Sequence, residues 1–140
     1  MGRILAIDYG RKRVGIAVTD PLKIIANGLE TVHSKDIFDF LEDYLKKEQV
    51  ETIVVGYPLT LKNEDAEALR FINPFIKKLI KKFPEVNIDT YDERFTSKMA
   101  TAAMIQGGMK KKDRQNKATV DKISAVIILQ SYMEFKSMQK

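Results

Sequence analysis

The sequence predicts an α/β fold in which a mixed β-sheet is flanked by helices. Near its start, two short apolar runs at residues 4–7 and 14–18 are separated by a glycine-containing turn, a pattern typical of a β-hairpin. Further along the chain, amphipathic helical patterns alternate with apolar runs, which favours parallel strands joined by helical connections. A hairpin followed by this alternation predicts a sheet that contains both antiparallel and parallel strands.

The first apolar run, at residues 4–7, predicts a central strand, because a strand that is apolar at every position is usually covered on both faces. The run ends in Asp8, which we expect at the edge of a cleft; alternatively, Asp8 only opens the turn to Gly10. Residues 14–18 alternate large and small side chains, as the hairpin partner would. A third extended segment, at roughly residues 24–32, continues the meander, and Gly28 indicates a bulge in it.

Helical and extended patterns alternate through the rest of the chain. Ser34 predicts the N-cap of the first helix, and Pro74 predicts a kink or a division in the second. Thr96 predicts the cap of a third helix, which Gly107 and Gly108 close. In order, these elements are a helix at 34–48, a strand at 52–55, a helix at 64–82, a strand at 86–90, a helix at 96–106 and a helix at 118–135. The predicted apolar positions of the second helix are Leu69, Ile72, Ile76, Leu79 and Ile80.

The composition fits one domain spanning residues 1–140. A chain of 140 residues with 44% hydrophobic residues is sufficient for a single core. There are no cysteines, which excludes disulfides and cysteine zinc sites, and the single histidine, His33, excludes a histidine-rich metal site. No apolar run reaches the length of a signal peptide or a membrane span, so we expect a cytoplasmic protein with no membrane contact.

The basic residues indicate an anionic partner. Lysine and arginine number 24 against 19 acidic residues, giving a net charge of +5. Basic side chains beside a cleft suit the phosphates of nucleic acid, although the basic loop after residue 109 also fits a loop that is merely solvated. The candidate nucleic-acid contacts are Arg11, Lys12, Arg13, Lys110, Lys111, Lys112, Arg114 and Lys117.

Three acidic residues each stand where a predicted element begins or ends. Asp8 ends the first strand, Glu93 follows the last strand, and Asp121 lies in the first turn of the final helix. Acids that meet at the carboxyl edge of a sheet favour a hard divalent cation such as Mg²⁺ or Mn²⁺. Each acid also has a simpler explanation, because Asp121 would favour the helix dipole and Glu93 would form a local ion pair in a solvated loop.

Four motifs occur in order along the chain. They are Asp8-x-Gly10-x-x-Arg13-x-Gly15, Gly56-Tyr57-Pro58-Leu59, Asp92-Glu93-Arg94-Phe95-Thr96-Ser97 and Lys117-x-x-x-Asp121-x-x-Ser124-Ala125. Together they resemble the YqgF family, also called RuvX, which comprises Holliday junction resolvases or pre-16S ribosomal RNA nucleases with a ribonuclease H-like fold. The resemblance covers nearly the whole chain.

The resemblance implies a five-stranded mixed sheet whose first three strands are antiparallel. It implies a catalytic divalent-metal site formed by Asp8, Glu93 and Asp121, where we expect Mg²⁺ or Mn²⁺, and cytoplasmic action on nucleic acid. The resemblance leaves open whether the protein is a monomer or a homodimer. The favoured role is endonucleolytic maturation of the 5′ end of pre-16S ribosomal RNA. Two departures stand out: Asn63 replaces a usual glycine, and residues 56–58 replace the fourth-strand acid of the best-known resolvases. The second departure favours simple phosphodiester hydrolysis, with Glu93 substituting from the fifth strand.

Other functions stay open at this point. The protein could resolve branched DNA, or it could be a non-catalytic RNA-binding module for ribosome assembly. A phosphotransferase of the actin and sugar-kinase type is a third alternative, because Asp8-Tyr9-Gly10 resembles the first phosphate motif of that superfamily. Those enzymes enclose nucleotide between two such domains, whereas this chain predicts one.

Overall fold

The computed structural model describes the backbone of residues 2–57, 66–92 and 117–138, and the side chains of residues 2–57, 70–91 and 122–136. One sheet contains five strands: β1 (Arg3–Tyr9), β2 (Arg13–Thr19), β3 (Ala26–His33), β4 (Val50–Tyr57) and β5 (Asn87–Asp92). Their spatial order is β3-β2-β1-β4-β5. β2 pairs antiparallel with β1 and β3, whereas β4 pairs parallel with β1 and β5. The predicted mixed sheet with a central first strand is confirmed.

The described helices cover both faces of this sheet. They are α1 (Ile37–Lys47), α2 (Ala66–Lys82) and α3 (Lys117–Met138). Leu5 and Ile7 of β1 belong to the core cluster formed with α1 and α2, whereas Ala6 belongs to the cluster that contains Ala125 of α3. Because successive strand residues point to opposite faces, β1 is buried on both sides. None of these three helices is long and apolar enough to cross a membrane.

The predicted cap of the first helix is wrong. Residues 34–36 form a short 3₁₀ turn, and α1 begins only at Ile37. The Nδ1 atom of His33 accepts a hydrogen bond of 3.2 Å from the Lys35 amide, so His33 caps the turn. Ser34 lies inside this turn and not ahead of it, and its hydroxyl donates to the Arg11 carbonyl at 2.5 Å.

The second helix differs from its prediction in two ways. Pro74 lies inside one described helix, α2, and does not divide it. It occupies an exposed position, away from the face of the helix that packs on the sheet. Ile80 was expected on the apolar face but is 52% exposed, whereas Phe75 is buried. The first predicted residues of this helix and the whole predicted helix at 96–106 lie outside the described residues.

The connection between β2 and β3 explains why the third strand begins later than predicted. The Asp20 carboxylate accepts hydrogen bonds from the amides of Ile24 and Ile25, both at 2.7 Å, which holds these residues in a turn. The bulge predicted at Gly28 is confirmed. Ile16 pairs with Glu30 and Ala17 with Gly28, leaving one extra residue on β3 between them.

Candidate active site at the carboxyl end of the first strand

Asp8 lies near the carboxyl end of β1, on the face that α3 covers. Alternation along the strand places Asp8 on the same side as Ile4 and Ala6, which pack in the cluster with α3. Its side chain is half-buried. Gly15 pairs directly with Asp8 on β2, and Gly56 follows two residues after Val54, which pairs with Ala6 on β4. Both flanking strands therefore bring a glycine, and no side chain, to the surroundings of this carboxylate.

α3 runs in the opposite direction to β1, which places its N-terminal part towards the Asp8 end of the sheet. Near its C-terminus, Tyr132 and Ile4 line one cavity. Nearer its N-terminus, Lys122 and Val126 lie within 3.6 and 3.7 Å of where a Cβ on Gly28 would stand. Asp121 is the fifth residue of α3, just before this contact, so the expected position in the first turn is wrong because the helix begins one residue earlier than predicted.

The side chain of Asp121 and the whole of Glu93 lie outside the described residues. The backbone nevertheless fixes where the chain leaves the sheet before Glu93. β5 ends at Asp92, which pairs in parallel with Tyr57 of β4, and β4 is parallel to β1. Strands are about 4.8 Å apart, so the ends of β5 and β1 lie on the same edge, about 10 Å apart.

The turn that follows Asp8 carries the first group of predicted nucleic-acid contacts. The Gly10 amide donates to the Arg13 carbonyl at 3.0 Å, and a Cβ on Gly10 would stand 2.7 Å from that oxygen. Glycine is therefore required for the tight closure of this turn. Arg11 and Lys12 are exposed at the tip of the turn, whereas Arg13 is half-buried at the start of β2.

Two side chains that the sequence reasoning missed hold this turn in place. Ser34 donates from its hydroxyl to the Arg11 carbonyl and from its amide to the Lys12 carbonyl, at 2.5 and 3.0 Å. The Arg11 guanidinium lies over the Phe71 ring, 4.4 Å from its centroid. Neither contact has a local signal, since Ser34 and Phe71 are far from Arg11 in sequence. The sequence offered one hint: Phe71 is an aromatic residue of the second helix that lies outside its predicted apolar positions.

The second group of predicted basic contacts is only partly placed. Lys117 is the first residue of α3, with its side chain outside the described residues. Lys110, Lys111, Lys112 and Arg114 lie outside the described residues altogether. The predicted basic contacts whose side chains the structure describes are therefore those of the β1–β2 turn.

Comparison with solved structures shows which known proteins share this fold. The chain is similar to Thermus thermophilus RuvC in complex with a Holliday junction substrate, with a TM-score of 0.61, 18% identity, and coverage of 98% of this chain and 96% of that one. It is also similar to the fowlpox virus resolvase bound to Holliday junction DNA, with a TM-score of 0.55, 15% identity and 99% coverage of both chains. At these identities the likeness shows a shared ribonuclease H-like fold.

Sequence comparison gives much higher similarity. A protein of Phocaeicola vulgatus named "Putative pre-16S rRNA nuclease" is 58% identical over 136 residues, which is 97% of this chain and 98% of that protein. A protein of the same name from Bacteroides fragilis is 54% identical over 138 residues, 99% of this chain and 100% of that one. The family model RuvX, described as Holliday junction resolvase, matches residues 2–135. This chain therefore belongs to the RuvX family.

Proposed function

We propose that this protein is a metal-dependent endonuclease that hydrolyses phosphodiester bonds during 5′-end maturation of pre-16S ribosomal RNA. The observation that carries the proposal is the position of Asp8: a half-buried carboxylate at the end of the central strand, flanked by Gly15 and Gly56. Because glycine has no side chain, these two neighbours let a substrate phosphate approach this edge of the sheet. The names of the close relatives support RNA as the substrate.

Asp8, Glu93 and Asp121 are the residues proposed to hold Mg²⁺ or Mn²⁺. The three carboxylates supply the oxygen ligands that these hard cations prefer, and β1, β5 and the N-terminal part of α3 approach one edge of the sheet. When bound, the cation would activate a water molecule and stabilise the leaving oxygen. Without it, three adjacent carboxylates would repel one another, which is itself a reason to expect a cation.

The basic residues have a separate role in this proposal. Arg11, Lys12 and Arg13 bind phosphates next to the scissile one, since phosphate contacts fix the register of a nucleic acid without reading its sequence. Lys110, Lys111, Lys112, Arg114 and Lys117 are proposed to contact the same strand from the α3 side. In this proposal the protein acts in the cytoplasm, as a monomer or homodimer.

A side-by-side cleavage assay tests the substrate and the metal together. The wild-type protein is incubated with a pre-16S RNA fragment and with a four-way DNA junction, each with Mg²⁺, Mn²⁺ or EDTA. We expect RNA cleavage that EDTA abolishes. Faster cleavage of the junction would favour resolvase activity, the description that the family model carries. RNA binding that weakens steeply with salt, without any product, would instead indicate a non-catalytic binding module.

A further inference from the structure

A groove lies on the opposite face of the sheet from Asp8, at the same end of β1. It encloses about 540 Å³ between the end of β1, the 3₁₀ turn at residues 34–36, α1 and α2. Tyr9, the residue directly after Asp8, forms part of its wall. The groove therefore begins one residue from the proposed catalytic carboxylate, across the edge of the sheet.

Four aromatic side chains line this groove, and we call it the aromatic groove: Tyr9, Phe38, Phe71 and Phe75. The Tyr9 and Phe75 rings are stacked with centroids 4.1 Å apart, and Phe38 packs at a tilt against Phe75 at 5.4 Å. Phe75 is buried beneath the others, whereas Tyr9, Phe38 and Phe71 are half-buried and present part of their rings to the groove. Partly exposed aromatic rings of this kind offer a stacking surface to a planar ligand.

The charged side chains that line the groove are all positive. Lys35, Arg70 and Lys78 line it, and among its described lining residues none is acidic. Lys78 lies 4.5 Å from the Phe38 ring centroid, and Arg11 covers Phe71 from the side of the β1–β2 turn. A ligand that fits must combine an aromatic plane with negative charge.

We propose that the aromatic groove binds an unpaired nucleotide of an RNA strand whose neighbouring phosphates reach the Asp8 edge. The inference rests on the proposed nuclease function and extends it by naming single-stranded RNA flanking the cleaved bond as the required feature. The base stacks against the aromatic wall and the Arg11 guanidinium. The phosphates on either side pair with Lys35, Arg70 and Lys78. A duplex cannot enter in this way, because its bases are already stacked.

The first test compares two double variants of α2 that remove the same charge. Arg70→Ser with Lys78→Ser empties the groove of two cations, whereas Lys77→Ser with Lys81→Ser removes two exposed cations outside its lining. Binding of a fluorescein-labelled single-stranded oligoribonucleotide is measured by anisotropy in EDTA. We expect the groove variant to bind about tenfold more weakly and the control variant to change about twofold or less. Equal weakening of RNA binding in both double variants would overturn the proposal, since it would show that binding depends only on the total charge of the protein.

The second test isolates the aromatic contribution. Phe71→Leu keeps an apolar side chain but removes the ring, and thermal melting verifies that the variant is folded. We expect about fivefold weaker binding of the single strand and no change for the matching RNA duplex. Unchanged single-strand binding would contradict the stacking role. Weaker binding of a poly-glutamate peptide with unchanged RNA binding would show that the groove takes an acidic peptide.

These tests are independent of cleavage because EDTA removes the cation that the proposed reaction needs. If the wild-type protein cleaves no RNA but the groove variants lose binding as expected, the nuclease proposal is contradicted and the groove proposal is supported. If the wild-type protein cleaves RNA but the groove variants bind it normally, only the groove proposal is contradicted.

Discussion

The Ser34 hydroxyl donates a hydrogen bond of 2.5 Å to the backbone carbonyl of Arg11. This contact joins the end of β3 to the turn between β1 and β2, across 23 residues of sequence. The turn carries Arg11 beside both the Asp8 edge and the aromatic groove, so its position matters to both proposals. Ser34, which looked like a helix cap in the sequence, is better described as the residue that positions Arg11.

Replacing Ser34 therefore tests the turn. Ser34→Ala removes the hydroxyl donor, and we expect a loss of about 1 kcal/mol in the free energy of unfolding, the usual worth of one hydrogen bond. Urea denaturation measures this change. Ser34→Thr keeps a hydroxyl and serves as the control. Equal destabilisation by both variants would show that the hydroxyl contributes nothing.

Gly10 tests the closure of the same turn. In Gly10→Ala the new Cβ would stand 2.7 Å from the Arg13 carbonyl oxygen, so the backbone must shift. We expect a destabilisation of about 1–3 kcal/mol, the range for overpacking, measured by urea denaturation. Gly28→Ala is the matched control, because its nearest neighbour would lie at an ordinary 3.6 Å. A larger effect at Gly28 than at Gly10 would contradict the described turn.

The two isoleucines Ile7 and Ile80 test the assignment of the core. Ile7 is fully buried in the central strand, whereas Ile80 is 52% exposed on α2. Ile7→Ala leaves a cavity, so we expect the free energy of unfolding to fall by about 3 kcal/mol. Ile80→Ala changes an exposed site, so we expect a change of about 0.5 kcal/mol or less. Thermal or chemical unfolding of the two variants measures the difference. Similar losses would mean that α2 is rotated relative to its described position.

Tyr132 predicts how stability depends on pH in the alkaline range. Its hydroxyl donates to Asp89 Oδ2 at 2.7 Å, and burial, together with the Asp89 charge, raises its pKa well above the usual value. Since the unfolded phenol ionises near pH ~10 and the folded one resists ionisation, stability is intact below that pH and falls as the pH rises above it. We expect Tyr132→Phe to show a shallower alkaline decline in urea denaturation. An identical decline in both proteins would contradict this prediction.

The sheet followed from the sequence because its signals are local. An apolar run at residues 4–7, a short glycine turn and a second alternating run determine a hairpin before any long-range contact is considered. The start of α1 did not follow, because residues 34–36 form a 3₁₀ turn capped by His33, and this turn is tied to the distant Arg11 carbonyl. The face of α2 was misjudged for a similar reason: Phe75 is buried because Tyr9 and Phe38 pack on it, and neither is its neighbour in sequence.

The candidate site likewise combines features with a local sequence signal and features that depend on long-range packing. That Asp8 ends a strand is readable from residues 4–8 alone. Which face it occupies required the alternation with Ile4 and Ala6 and the identity of the helix above them. The approach of Asp121 required the direction of α3, a property of tertiary packing. The grouping of Asp8, Glu93 and Asp121 came from their positions at the ends of predicted elements and was then implied by the motif resemblance, and it stays a proposal.

The central claim is that Asp8 takes part directly in phosphodiester hydrolysis. The measurement that tests it most directly is the initial rate of pre-16S RNA cleavage in Mg²⁺ by the wild type, Asp8→Asn and Asp43→Asn. Asp43 is an exposed acid on α1 that pairs with Lys47 at 3.0 Å, away from the site. Because losing a group that only supports a metal ligand costs about 10- to 100-fold, we expect Asp8→Asn to lose more than ~100-fold while Asp43→Asn stays near the wild type. Wild-type rates in a folded Asp8→Asn protein would contradict the claim.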